Sequence, residues 1–212
     1  MTTLKNRVSM TAALILVFFV SICSAQDKNT KKASNPVVVI QTTMGNITVE
    51  LYKDKAPKSV ENFLGYAKSG FYSGTIFHRV MKNFMIQGGG LTEDLNPRSG
   101  LRAPIENESS NGLKNDIGTI SMARTNEMNS ATSQFFINTR ENGGAPDFAY
   151  AVFGKVIDGM DVVKKIEGSQ TTNTLNYQNV PRKPITIKTV ELRQKNTPFF
   201  ESILIISTPP GN

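Results

Sequence analysis

Residues 77–90 concentrate the side chains whose types and spacing could do chemistry. They include His78, the only histidine, then Arg79, an apolar group at 84–86, Gln87 and three glycines. A histidine can titrate near neutral pH, whereas an arginine stays charged and offers five hydrogen-bond donors in a rigid plane. A lone histidine is more often structural than catalytic, so we expect the chemistry to rest on Arg79.

Composition excludes several classes of active site. One histidine and a single cysteine, Cys23, leave no recognisable zinc site. No G-x-S-x-G elbow accompanies His78, and the glycine run at 88–90 lacks the G-x-G-x-x-G spacing of dinucleotide-binding loops. The lysines and arginines are scattered, without a nucleic-acid-binding motif. We therefore expect no metal, no cofactor and no nucleic acid partner.

An arginine beside apolar side chains suits a reaction that needs no acid, base or nucleophile. Rotation about an X–Pro bond is one, with a barrier of ~18–20 kcal/mol for peptide bonds generally. As the bond twists, the proline nitrogen gains a lone pair to which a fixed guanidinium can donate a hydrogen bond. From spacing alone, Phe84, Met85 and Phe136 could instead be core residues. Arg79 could be a surface ion-pair residue, and Gln134 could satisfy buried backbone groups.

The elements before this stretch are a hairpin and a helix. Residues 37–42 are rich in β-branched side chains, residues 47–51 alternate apolar and polar, and Gly45 lies in the turn between them. Residues 54–70 carry an amphipathic stripe at spacings of three and four, with Pro57 in the first turn. This pattern predicts a helix that covers an apolar opening.

The elements after it are strands separated by loops, with one more helix. The pattern predicts a long loop at 91–116, strands at 117–123, 133–138 and 150–156, a helix at 159–167, a loop at 173–184 and a final strand at 185–192. Residues 77–90 are themselves typical of two short strands joined by a tight connection. About eight strands with only two helices favour a mainly β fold, an antiparallel barrel rather than a doubly wound sheet.

The N-terminal segment predicts export. Lys5 and Arg7 precede an uncharged apolar run at 10–22, and small residues at 23–25 fit signal peptidase cleavage after Ala25. Two alternatives remain open: an uncleaved membrane anchor, and a lipid on Cys23, against which the bulky Ile22 argues. Cleavage removes Lys5 and Arg7 and lowers the net charge from +7 to +5. We expect a periplasmic protein. The alternative is a periplasmic protein that is anchored to the membrane by a lipid on Cys23.

The chain thus divides into four parts. A signal peptide covers 1–25, a flexible Lys-rich linker 26–36, the barrel 37–193, and a C-terminal extension 194–212. The extension contains Phe199, Phe200 and four consecutive aliphatic residues, so it is more apolar than a solvent-exposed tail would be. It could add an edge strand, dock on the barrel or contact a partner. We expect the barrel to be a monomer.

Five stretches together resemble the cyclophilin family of peptidyl-prolyl cis–trans isomerases, and two more resemble its bacterial branch. The resemblance covers roughly residues 37–193. The five, in chain order, are Phe77-His78-Arg79-Val80, Phe84-Met85-Ile86-Gln87-Gly88-Gly89, Ile120-Ser121-Met122-Ala123, Ser133-Gln134-Phe135-Phe136-Ile137 and Val152-Phe153-Gly154-Lys155-Val156. The bacterial features are 102–108 and 111–115, with Arg124 after Ala123.

The resemblance implies a closed eight-stranded antiparallel barrel capped by two α-helices, and a catalytic role for Arg79. It also implies that Phe84, Met85 and Phe136 line a proline pocket and that Gln87 hydrogen-bonds the substrate backbone. The full set of expected substrate-binding residues is Phe84, Met85, Gln87, Ala123, Arg124, Gln134, Phe136, Phe148 and Tyr150. Many relatives carry Asn where this chain has Arg124.

The chain departs from many eukaryotic members beside the pocket. The Trp-Leu pair of those members would align near Ala145 and Pro146. The histidine that they carry before the Val-Phe-Gly strand is replaced by Tyr150 in this chain. Phe148 is a candidate for the Leu side of the pocket. Without the Trp, we expect weak binding of the family's cyclic peptide inhibitor, cyclosporin.

The resemblance implies an enzyme that accelerates X–Pro isomerisation in folding exported proteins. An alternative from another class is a chaperone or binding module that holds proline-containing polypeptides with little turnover, with the apolar 194–212 segment as a partner contact. The intact motif set favours the enzyme.

Overall fold

The computed structural model describes residues 34–143 and 149–193. The predicted signal peptide and the 194–212 extension lie outside the described residues, so the division into those segments stays a prediction. Neither helix within the described ranges combines the length and apolarity needed to cross a membrane.

Ten strands and two helices make up the described chain. They are β1 (Val37–Thr42), β2 (Gly45–Leu51), α1 (Pro57–Lys68), β3 (Thr75–Met81), β4 (Met85–Thr92), β5 (Thr119–Met122), β6 (Phe135–Asn138), β7 (Val152–Asp158), α2 (Met160–Glu167), β8 (Thr171–Thr172), β9 (Val180–Pro181) and β10 (Thr186–Leu192). Eight of the strands form a closed barrel in the order β1-β10-β3-β4-β6-β5-β7-β2. All neighbours in it are antiparallel, which confirms the predicted fold class.

The helix predicted at 54–70 is α1, and a residue distant in sequence, Glu108, caps its N-terminus. Ala56 precedes the helix and supplies no side-chain cap. Instead the Glu108 carboxylate accepts hydrogen bonds from the backbone N–H groups of Lys58 at 3.0 Å and Ser59 at 2.8 Å. A carboxylate at a helix N-terminus satisfies orphan donors and complements the helix dipole. The long loop that contains Glu108 is thereby fastened to α1.

The core inside the barrel is built around aromatic rings. Phe63 projects from α1 into contact with Tyr72, Phe135 and Phe153, at ring-centroid distances of 5.1, 5.5 and 5.3 Å. All four side chains are essentially inaccessible to solvent. Edge-on and tilted aromatic contacts of this kind add to the stabilisation from burial alone. The amphipathic stripe of α1 therefore covers the barrel interior, as its spacing predicts.

The second helix, α2, begins after Gly159 and ends at Gly168, close to the predicted bounds. Its apolar face buries Val163 and Ile166 completely. A Cβ on Gly159 would collide with the Asn46 carbonyl, and its φ of +87° lies in the left-handed region. Glycine is the residue that tolerates both conditions.

The segment 173–184 differs from the plain loop that the sequence predicts. It contains β9 and the connection from β8, and these two strands form a hairpin. The hairpin is attached to the barrel where the Val80 N–H donates to the Asn179 carbonyl at 2.9 Å. Two-residue strands are too short to show an alternating pattern, so periodicity could not reveal them.

Candidate active site

A pocket of about 140 Å³ lies on the barrel surface where β3, β4, β5 and β6 meet. Seven of the residues predicted from the sequence to bind substrate, together with Arg79, form its lining. The lining residues are Arg79, Phe84, Met85, Gln87, Ala123, Arg124, Phe136 and Tyr150. Residues separated by more than seventy positions thus share one pocket, as the predicted site requires.

Strand register brings three of these side chains together. Arg79 on β3 is paired with Gln87 on β4, and Gln87 is paired with Phe136 on β6. Directly paired residues in an antiparallel sheet project to the same face, with Cβ atoms about 5 Å apart. The Arg79 Nη1 donates to the Gln87 Oε1 at 3.4 Å. Gln87 therefore orients the guanidinium across the pocket floor.

Gln134 supports Gln87 and does not itself line the pocket. The Gln87 Nε2 donates to the Gln134 Oε1 at 2.9 Å, which continues the chain from Arg79. The Gln134 side chain lies against the backbone of Gly90, where an added Cβ would clash with it. Gly90 thus makes room for the residue that supports Gln87.

The apolar wall consists of Phe84, Met85 and Phe136. Met85 is 2% exposed and Phe136 is 4% exposed, yet both line the pocket and stand outside the main hydrophobic cluster. The Phe136 ring meets the Tyr150 ring edge-on at 5.3 Å. Met85 and Phe136 are thus both buried and part of the pocket lining, and their binding of a proline ring stays a prediction.

Arg124 forms the opposite rim. Its guanidinium stacks over the Tyr150 ring, with Cζ 4.6 Å from the ring centroid. Its Nε donates to the Ala149 carbonyl at 3.1 Å, and its Nη1 donates to the Thr125 carbonyl at 2.9 Å. These contacts hold a cation at the pocket in a single orientation.

The turn that carries Phe84 is clamped by α2, a contact that sequence reasoning missed. Asn83 has φ of 57°, a left-handed conformation that Asn tolerates in tight turns. Its N–H donates to the Glu167 Oε1 at 2.8 Å, and Lys164 donates to the Glu167 Oε2 at 2.9 Å. Burial raises the pKa of Glu167, but the neighbouring Thr139 hydroxyl, Lys164 and the Asn83 N–H outweigh burial, so the pKa of the carboxyl is lowered.

Three buried asparagines connect the backbone of Phe84 with the backbone of Tyr150, and this connection was not predicted from the sequence. Asn142 donates to the Phe84 carbonyl at 3.0 Å and to the Asn138 Oδ1 at 2.8 Å. Asn138 in turn donates to the Asn115 Oδ1 at 3.1 Å, and Asn115 donates to the Tyr150 carbonyl at 3.1 Å. We call Asn115, Asn138 and Asn142 the amide bridge. Buried polar groups that are satisfied in this way rigidify their surroundings.

His78 is adjacent to Arg79 in sequence but faces a different environment. It is 5% exposed, and its ring lies edge-on to Tyr177 at 6.5 Å. Burial, reinforced by the charge of Arg79 and partly offset by a backbone hydrogen bond with Ile76, lowers the pKa of His78 to about 4. Its Nδ1 has no hydrogen-bond partner within 34–143 and 149–193. His78 does not line the pocket, which agrees with the structural role expected for it.

Phe148, the candidate for one side of the pocket, lies outside the described residues, as do Ala145 and Pro146. The residue that takes the place of the family's Trp-Leu pair therefore stays a prediction.

Comparison with known proteins agrees with this geometry. Residues 37–192 match the family model for cyclophilin type peptidyl-prolyl cis-trans isomerases. The chain is 53% identical to peptidyl-prolyl cis-trans isomerase A of Dickeya dadantii over 162 residues, which cover 74% of this chain and 85% of that protein. It is 51% identical to a peptidyl-prolyl cis-trans isomerase of Acinetobacter baylyi, covering 77% of this chain and 89% of that protein.

A similar solved structure is a cyclophilin type isomerase of Cryptosporidium parvum. It has a TM-score of 0.64 and 30% identity, and it covers 76% of this chain and 98% of that chain. A second structure of that protein was determined in the presence of the dipeptide Ala-Pro and has a TM-score of 0.63. From the sequence match, the barrel and the composition of the pocket together, the chain belongs to the cyclophilin-type peptidyl-prolyl cis–trans isomerase family.

Proposed function

We propose that this enzyme isomerises X–Pro bonds by seating the proline ring against Phe84, Met85 and Phe136 while Arg79 stabilises the twisted amide. The observation that carries the proposal is the placement of one arginine at an apolar pocket, oriented by Gln87 at 3.4 Å. The proposed substrates are proline-containing polypeptides.

The pocket has a size that suits a small ring. Cavities of roughly 150 Å³ can hold a six-membered aromatic ring, and this pocket measures about 140 Å³. The wall of Met85 and Phe136 supplies apolar contact without hydrogen-bonding groups of its own. A pyrrolidine ring can therefore be held while the carbonyl of the preceding residue rotates.

The arginine supplies the differential binding that catalysis requires. In the planar ground state the proline nitrogen shares its lone pair with the carbonyl and is a poor acceptor. In the twisted transition state the lone pair is localised, so a hydrogen bond from Arg79 becomes stronger as the barrier is reached. Only interactions that strengthen in this way accelerate a reaction. No proton is transferred, so no group with a neutral pKa is needed.

Replacement of Arg79 tests this mechanism. In Arg79→Ala, kcat/KM on a proline tetrapeptide should fall by at least ~10²-fold, the scale of one lost electrostatic contact to the transition state. A protease-free isomerisation assay gives the rate, and circular dichroism verifies the fold.

Arg182→Ala is the matched control, because Arg182 is exposed and absent from the pocket lining. It removes the same charge from the protein and should turn over like the wild type. Near wild-type turnover in Arg79→Ala would contradict the mechanism.

We further propose that the enzyme is exported and acts on folding proteins of the cell envelope. The support is the basic start, the apolar run at 10–22 and the small residues before Gln26. Cleavage there would remove the only cysteine, so no intramolecular disulfide could form, and the enzyme would rely on its barrel core in an oxidising compartment.

A further inference from the structure

The pocket carries two arginines, and only one of them is assigned to the bond rotation. Arg79 and Arg124 both line it, and none of the lining residues within 34–143 and 149–193 is acidic. Among the described lining residues, therefore, none supplies a counter-charge for the second cation. The bond rotation itself creates no net negative charge that would call for it.

Arg124 is held in place but retains hydrogen-bonding capacity. Its Nε and Nη1 each donate to a backbone carbonyl, of Ala149 and Thr125, and its face rests on Tyr150. A guanidinium has five N–H donors, of which these contacts use two. In the described part of the chain, no carboxylate forms an ion pair with it. The group is thus pre-oriented, partly exposed and able to donate further hydrogen bonds.

We propose that Arg124 makes the enzyme selective for polypeptides that carry a carboxylate side chain within two residues of the proline. The proposal rests on the proposed function and names its preferred substrate class. A carboxylate fits the planar fork of a guanidinium, and charge-assisted hydrogen bonds are stronger than neutral ones. Because Tyr150 and two carbonyls already fix the arginine, little side-chain entropy is lost when a substrate binds.

The test compares matched peptides that differ only in charge. Acetylated, amidated hexapeptides carry Glu, Gln or Lys at one position, either directly before the proline or at the first or second position after it. Exchange spectroscopy yields kcat/KM without a chromophore or a protease. At one of these positions the wild type should favour Glu over Gln by roughly three- to tenfold at low salt. The ratio should approach one in 0.5 M salt, since screening weakens an ion pair.

Charge reversal distinguishes recognition from a structural contribution of Arg124. Arg124→Gln should reduce the Glu-to-Gln ratio to about one, and Arg124→Glu should favour the Lys peptide at the same position. The ratio is taken within each variant, so a general loss of folding or turnover cancels. A structural role alone could not invert a charge preference.

Three results would overturn the inference. One is a wild type that turns over all peptides without preference at any position. Another is a Glu preference that persists in Arg124→Gln, which would assign it to Arg79. The third is an Arg124→Glu variant that still favours Glu. A wild type that isomerises no peptide would instead overturn the proposed function.

Discussion

At the scale of single residues, two neighbours on β3 have opposite environments. Arg79 lies at the pocket, while His78 is buried beneath Tyr177. Alternation along a strand sends adjacent side chains to opposite faces. This explains why the His78 side chain lies away from the pocket, while the Arg79 guanidinium lines it.

The low pKa of His78 predicts a pH-dependent stability. The pKa is about 4 in the folded protein against 6.5 for an ordinary histidine, so the unfolded chain binds the extra proton between these values. Stability is therefore full above pH 6.5 and falls as the pH drops toward 4, by about 2 kcal/mol at pH 5. His78→Gln should lose this slope when urea unfolding is measured from pH 7 to 5.

Activity should not follow the same titration. His78 does not line the pocket, and we expect it to take no part in the reaction. The kcat/KM of the wild type should therefore stay flat from pH 6 to 8, without a bell shape. A folded but inactive His78→Gln variant would contradict this assignment.

At the scale of elements, the pocket depends on how strands and turns are braced. The run Gly88-Gly89-Gly90 allows close approach of the backbone: a Cβ on Gly89 would lie 2.8 Å from the Phe135 ring, and one on Gly90 would displace Gln134. The turn before Met85 is held by Glu167 from α2. Side chains that do not touch the pocket therefore set the position of those that do.

The amide bridge provides a test of this dependence. Asn142→Ala removes one of two donors to the Phe84 carbonyl, which keeps the Thr139 N–H, and removes the Asn142 donor from the buried Asn138 Oδ1. Loss of such a contact should lower the unfolding free energy by about 1–3 kcal/mol. Displacement of Phe84 should also lower kcat/KM by roughly tenfold.

Asn111→Ala is the matched control. Asn111 donates to the Val152 carbonyl at 2.9 Å and makes no hydrogen bond to a pocket residue. It should lose stability on the same scale but keep its activity. If both variants lose activity in proportion to stability, the bridge does not position the pocket.

At the scale of the whole molecule, pairing of β4 with β6 brings the two halves of the site together. β3 and β4 come from the first half of the described chain, whereas β5, β6 and Tyr150 come from beyond a long loop. That loop is fastened to α1 through Glu108, so the stretch that separates the two halves of the site is itself anchored. The pocket therefore requires the long-range pairing of β4 with β6.

Export is tested on the whole chain by mass spectrometry of the protein after expression with its native N-terminus. We expect Gln26 as the first residue and a protein released in soluble form. Cys23→Ser is the matched variant, since a lipoprotein pathway needs the thiol whereas ordinary cleavage after Ala25 does not. An acylated Cys23 in the wild type, or blocked processing in Cys23→Ser, would contradict the soluble form.

Much of the fold could be predicted from the sequence, because periodicity and motifs are local. The hairpin at 37–51, α1, α2 and the last strand appear within two or three residues of their predicted bounds. The motif around Arg79 also pointed to the family and to most of the pocket lining. Short strands such as β8 and β9 carry too few residues for a pattern, so they were missed.

Other features follow only from folding, because they join residues that are distant in the chain. The sequence did not reveal that Gln134 supports Gln87 from outside the pocket, that Glu108 caps α1, or that Arg124 rests on Tyr150. Asn115 and Asn142 lie in loops and Asn138 at the end of β6, where periodicity carries no information on hydrogen bonding, so the amide bridge was not predicted. The residue types that line the pocket can be identified in the sequence, whereas their distances and orientations arise only when β3, β4, β6 and β5 pair.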